Sequence, residues 1–147
     1  MIKPWIFEFF FAPGEHGRPV AVSAEEAHAH FDRYIKLWER AEPLRGQHPY
    51  LARKGLSMLG CVGLRRYGEL LVVPVVRAGR LVSVQTINAQ GDKRFHPGAP
   101  VKSGYHVLQR HRAPVTVLTE GLATGLAVFQ SMQQVRVIVA FDAGNLL

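Results

Sequence analysis

Glu120 is preceded by the β-prone run VTVLT (115–119) and followed by Gly121, so its carboxylate falls at the carboxyl end of a strand. Open α/β sheets place their ligands there. A carboxylate at such a point can hold a divalent cation or move a proton, and the glycine lets the backbone turn tightly into a following helix. Asp142 closes a second apolar run, VRVIVAFD (135–142), and stands before Ala143-Gly144, which makes it a candidate second metal ligand. A plainer alternative exists for Glu120: a carboxylate in the first turn of a helix gains from the helix dipole.

The cations are unevenly spread. The net charge is +7, but residues 1–43 carry five Lys/Arg against seven Asp/Glu, residues 44–112 twelve against two, and residues 113–147 one against two. The middle third is therefore a basic block. Such a concentration favours a polyanionic partner through counterion release and electrostatic steering. The same charges also serve simply to keep a β-rich surface soluble.

Other chemistry is excluded or weak. Cys61 is the single cysteine, so there is no disulfide framework and no cysteine-based zinc site; it reads as a small buried apolar residue in a reducing compartment. His28 and His30 are two residues apart within a helical pattern, which points them to different faces and suits solvation better than chelation. The opening MIKPWIFEFFFAP breaks its apolar run at Glu8 and has no small-residue cleavage site after it. Every long apolar stretch is broken by charge, Gly or Pro before the ~20 residues a bilayer needs. The expectation is a soluble, cytoplasmic protein with no membrane partner.

The elements that must position Glu120 and Asp142 follow from periodicity. At 147 residues and 48% hydrophobic content the chain can bury one sizeable core. Residues 4–11 predict a short strand, with Pro13, Gly14 and Gly17 marking a loop. Ser23 and Glu26 form a capping box ahead of an apolar stripe of Ala27, Phe31, Tyr34, Ile35, Trp38 and Ala41, predicting an amphipathic helix over 24–42 that Pro43 ends. His48-Pro49-Tyr50-Leu51 predicts a short helical turn with Pro at its first position.

From Leu64 the period changes. LLVVPVV (70–76) and LVSVQTI (81–87) flank Ala78-Gly79 as a hairpin, Gly91-Asp92 makes a turn, and Lys93 to Phe95 and Gly104 to Leu108 are short extended pieces. VTVLTEG reads as a buried-type strand, 122–132 as a helix and VRVIVAFD as a second buried strand, a βαβ unit with its two strands parallel. The predicted fold class is α+β, in three segments: an N-terminal strand and helix over 1–43, an antiparallel β region over 44–112, and a partial α/β unit over 113–147.

Taken in order, LLVVPVVRAGRLVSVQTINAQGDKRF, PVKSGYHVL, VTVLTEGLATGLAVF and VRVIVAFDAGNL resemble the plasmid- and phage-type DNA primases of the Toprim (topoisomerase-primase) class. HPYLARKGL and KLWERAEPL extend the likeness upstream, so that it covers about residues 36–147. More distantly, the stretch is similar to the bacterial replicative primase, whose proline-bearing strand, Gly-Arg turn, lysine strand and Glu-Gly strand are matched by Pro74, Gly79-Arg80, Lys93 and Glu120-Gly121.

The resemblance implies DNA replication chemistry: template-directed synthesis of RNA primers from nucleoside triphosphates on single-stranded DNA, with Mg²⁺ or Mn²⁺ held by Toprim carboxylates and a helicase among the partners. It makes Glu120 the acid/base or metal-associated carboxylate, while Asp142 is a candidate metal ligand by its position after the strand alone. Lys93, Arg94 and Lys102 would neutralise phosphates of nucleotide or template. Lys54 and Arg66 would add template contacts, and Tyr67, Phe95 and Tyr105 would offer stacking surfaces. Taken without the resemblance, Lys93, Arg94 and Lys102 read as solvated strand-edge charges; for the three aromatics, core or rim packing is the plainer reading.

In the resembling primases a metal-binding Asp-x-Asp pair follows the segment matched by AFDAGNL, and the sequence stops at Leu147. The resemblance thus implies a Toprim subdomain cut partway, a truncated piece incomplete on its own. The alternatives are a non-catalytic nucleic-acid-binding module, which keeps the basic block without the metal site, and a Toprim nuclease. The primase-like segments ahead of Glu120 count against the nuclease.

Overall fold

The computed structural model describes residues 11–13, 19–21, 24–56, 63–95, 102–109 and 113–146. Ser23, Cys61, the side chains of His28 and His30, and most of the strand expected over residues 4–11 lie outside the described residues. The fold is mixed α+β. Among the described residues three α-helices accompany a five-stranded antiparallel sheet and a smaller mixed sheet, and Phe11–Pro13 (β1) pairs with Pro19–Ala21 (β2) as a separate ribbon.

Helix α1 spans Ala24–Arg40 and is continued by one bond from the Ala41 amide to the Leu37 carbonyl. It stops there because Glu42 precedes Pro43, and a residue before proline is pushed out of helical geometry. Glu42–Pro43 instead form β3, an edge strand, where the missing proline N–H costs no ladder bond. The buried face of α1 sets Tyr34 against Val72 and Val84 of the large sheet, with Ile35, Leu37 and Trp38 packed around them. Burial pushes the Tyr34 hydroxyl pKa upward, so it stays neutral.

The large sheet runs in the order β3, β4 (Arg65–Tyr67), β5 (Leu70–Arg77), β6 (Arg80–Ile87), β7 (Lys93–Phe95). β5 is buried on both faces, which explains its nearly unbroken apolar run: Val72 points to α1, while Leu71 and Val73 point to the second core. Ala78 at φ 48° and Gly79 at φ 73° turn β5 into β6 as a two-residue hairpin.

Pro74 sits in this central strand without penalty. Toward β6 it faces Val84; on the opposite edge β4 reaches only to Val72, and the next partner is Tyr105, which exchanges two bonds of 2.8 and 2.9 Å with Val76. The missing N–H therefore falls in a gap between those two pairings.

Helix α2 (Pro49–Arg53) begins as expected, with proline in its first turn and His48 as its N-cap. The fully buried His48 ring accepts a hydrogen bond from the Tyr50 amide at Nδ1 (3.2 Å), and Nε2 lies 3.0 Å from the Glu69 carbonyl. Because Nδ1 accepts and a carbonyl cannot donate, the proton sits on Nε2. His48→Ala removes the cap, the tether to the β4–β5 turn and the packing of the ring. The expected loss is about 2–3 kcal/mol, measured as a lower urea midpoint with an unchanged slope.

The smaller sheet has the order β8 (His106–Leu108), β10 (Val135–Val139), β9 (Val115–Thr119), with β10 antiparallel to β8 and parallel to β9. Helix α3 (Leu122–Ser131) makes the crossover, so the predicted βαβ unit is present. One prediction fails: β9 is not a buried strand. It is the sheet's edge, and with α3 on one side only, Leu118 is 57% exposed and Val115 47%. Leu122, Leu126 and Phe129 of α3 share a single core with Leu71, Val73 and Ile87 of the large sheet and Tyr50 and Leu51 of α2. The basic β segment and the βαβ unit thus bury their apolar faces together.

Candidate functional site

The parallel pairing of β9 and β10 brings their carboxyl ends to one side, and the Ala140 amide extends the ladder with a 2.8 Å bond to the Thr119 carbonyl. Past β9, Glu120 is exposed and makes no hydrogen bond or ion pair among the described residues. Gly121 caps α3 without a side-chain hydrogen bond, leaving first-turn amides to solvent or a ligand. The expected glycine turn is not strained, however: Gly121 has φ −107° and ψ 153°, open to any residue.

Lys93 faces this point from the other sheet. The five-residue turn from Asn88 to Asp92 is closed by the bond from the Asn88 amide to the Asp92 carbonyl (3.1 Å) and by the bond from the Asn88 side-chain amide to the Asp92 carboxylate (2.8 Å). It sets Lys93 opposite Ile87 and Phe95 opposite Gln85. Lys93 Nζ hangs 6.0 Å from the Tyr50 ring centroid and 4.0 Å from where a Cβ on Gly121 would stand. Lys93, Phe95, Glu120, Gly121, Thr124 and Phe141 line one open pocket of about 430 Å³. Phe95 meets Phe141 edge to face, with centroids 5.8 Å apart at 86°, forming an apolar wall beside the charged pair.

The other expected residues separate from this pair. Arg94 lies opposite Thr86, and alternation along β7 turns it to the face away from Lys93. Phe141 adopts φ 66°, and the chain bends there so that Asp142 lines a neighbouring pocket of about 310 Å³ with Lys102. Asp142 is engaged: its Oδ1 accepts the Gly144 amide (2.6 Å) and its carbonyl the Asn145 amide (3.0 Å), opening a 3₁₀ turn over Ala143–Leu146. Lys54 closes α2 as its C-cap and is exposed. Arg66 lines a third cleft, away from Glu120.

The sequence reading overlooked Asn145, which ties the end of β10 to the 102–105 turn. Its Oδ1 accepts the Ser103 amide (2.9 Å) and its Nδ2 donates to the Ala140 carbonyl (2.9 Å). An Asx-rich segment after a buried strand was the available signal.

No group of three or more His, Cys, Asp or Glu side chains that could hold a metal ion occurs among the described residues. The two carboxylates expected to share a cation line different pockets, so this donor set does not fit a two-metal centre. No helix among the described residues is long and apolar enough to cross a membrane. Comparison with protein-family models, with curated proteins and with solved structures gives no match.

Proposed function

We propose that the chain carries part of the catalytic core of a plasmid- or phage-type Toprim DNA primase, which joins ribonucleotides on a single-stranded DNA template. The observation behind this reading is the pairing of Glu120 with Lys93 across one pocket at the carboxyl ends of parallel strands, with each residue supplied by a different sheet. Lys93 and the uncapped first turn of α3 supply positive potential for nucleotide phosphates. The Phe95–Phe141 wall supplies an apolar face for a base. Glu120 is the free carboxylate that takes the proton of the attacking hydroxyl as the new phosphodiester bond forms and pyrophosphate leaves. Asp142 lines a different pocket from Glu120, so these two carboxylates do not together hold the Mg²⁺ or Mn²⁺ that such primases use.

That same separation favours a second reading, a nucleic-acid-binding module without catalysis. The test is incubation of the chain with single-stranded template, labelled nucleoside triphosphates and Mg²⁺ or Mn²⁺. Labelled primers that disappear in Glu120→Gln support the primase. Salt-sensitive binding of single-stranded DNA with no synthesis under either metal supports the binding module.

A further inference from the structure

A second group of cations collects at the opposite end of the large sheet's strand order. β3 pairs with β4 so that Glu42 stands beside Arg66, which brings the last turn of α1 and the loop after β3 up to the β4–β5 turn. The cleft between them, about 380 Å³, is lined by Arg40, Arg45, Arg66 and Tyr67. Three guanidinium groups therefore come from three separate elements.

Their states differ in a useful way. Arg66 is pre-positioned: its Nε donates to the Gly68 carbonyl at 2.8 Å and its terminal nitrogen lies 3.5 Å from the Glu69 carboxylate. Arg40 and Arg45 are exposed and make no hydrogen bond or ion pair among the described residues. Among the described residues Glu42 lines the cleft and Glu69 sits against Arg66, two carboxylates against three guanidinium groups, which leaves Arg40 and Arg45 as the cations without a partner there. Tyr67, 43% exposed, lines the cleft beside them.

Guanidinium forks match phosphate oxygens, and an exposed aromatic ring gives a base a face on which to stack. An open cleft with separated cations suits a chain of phosphodiesters better than a single enclosed nucleotide. We infer that this cleft binds single-stranded nucleic acid, with backbone phosphates on Arg40, Arg45 and Arg66 and a base on Tyr67. The site stands apart from the Glu120 pocket and requires no catalysis there.

The experiment is fluorescence anisotropy of the full chain with a labelled oligothymidylate of about 12 nucleotides across a salt series. Arg40→Ala and Arg45→Ala should each weaken binding severalfold and flatten the slope of log affinity against log salt by about 0.7. Tyr67→Ala should weaken it about 5- to 100-fold with little change in slope. All three side chains are exposed, and unchanged circular dichroism and melting curves confirm that each variant folds.

Wild-type affinity and slope in an Arg40→Ala/Arg45→Ala/Tyr67→Ala variant would overturn the inference. So would competition by a mononucleotide as effective as the oligomer. Lys93→Ala separates the two sites: binding lost there and kept in the triple variant removes this cleft and leaves the Glu120 reading standing. Binding lost in the triple variant by a protein that makes no primers does the reverse.

Discussion

Glu120→Gln is expected to lower template-directed primer synthesis by about 10²–10⁴-fold while leaving the fold untouched. The two halves of this expectation have separate grounds. Glutamine keeps the size and polarity of the side chain but cannot take up a proton, and Glu120 is the carboxylate that shares a pocket with Lys93. Since Glu120 is exposed and makes no hydrogen bond or ion pair among the described residues, its change should alter stability by no more than about 0.5 kcal/mol. Primer yield and the melting curve, measured on the same preparation, check both parts. Synthesis that survives the substitution would remove Glu120 from the chemistry, and a large fall in melting temperature would make it a structural residue instead.

Gly125→Val is expected to destabilise the protein by about 3 kcal/mol and lower the melting temperature by about 6–12 °C. Gly125 lies one turn into α3, where the helix presses on the small sheet: a Cβ would stand 2.8 Å from Val139 Cγ2, 2.9 Å from Thr119 Oγ1 and 3.3 Å from Val137 Cγ1. These neighbours are β-branched residues on strands, stiff at χ1 and buried, so they cannot swing aside. Alanine at the same position should cost less, because its single methyl is partly offset by the ~1 kcal/mol that helices lose to glycine. Differential scanning calorimetry of both variants checks the order. A valine variant that melts with the wild type would mean that α3 stands farther from the sheet.

Local chemistry made much of the fold legible. The Ala78-Gly79 hairpin, the His48-Pro49 start of α2 and the strand–helix–strand unit around Glu120 each rest on residues close in sequence. What could not be read depends on pairings. VTVLT has the composition of either a core or an edge strand, and only the order β8, β10, β9 leaves Leu118 exposed. Lys93 and Arg94 are equivalent as letters; the register of β7 against β6 turns one toward Glu120 and the other away.

The candidate site was partly visible for the same reason. Glu120 is placed by its own strand, but the left-handed backbone at Phe141 that diverts Asp142 has no glycine to announce it. The Arg40, Arg45 and Arg66 cleft forms where the end of a helix meets a strand well over a dozen residues later, beyond the reach of any local pattern.

Proline at position 74 has one more effect. With no donor there, the edge of β5 that faces away from β6 stays unpaired between Val72 and Val76, and along that edge the two sheets are joined by the Val76–Tyr105 pair. Lys93 rides on one sheet and Glu120 on the other. The gap between cation and carboxylate is therefore set by one two-bond seam and the apolar side chains behind it, and not by a continuous ladder of hydrogen bonds running from one residue to the other.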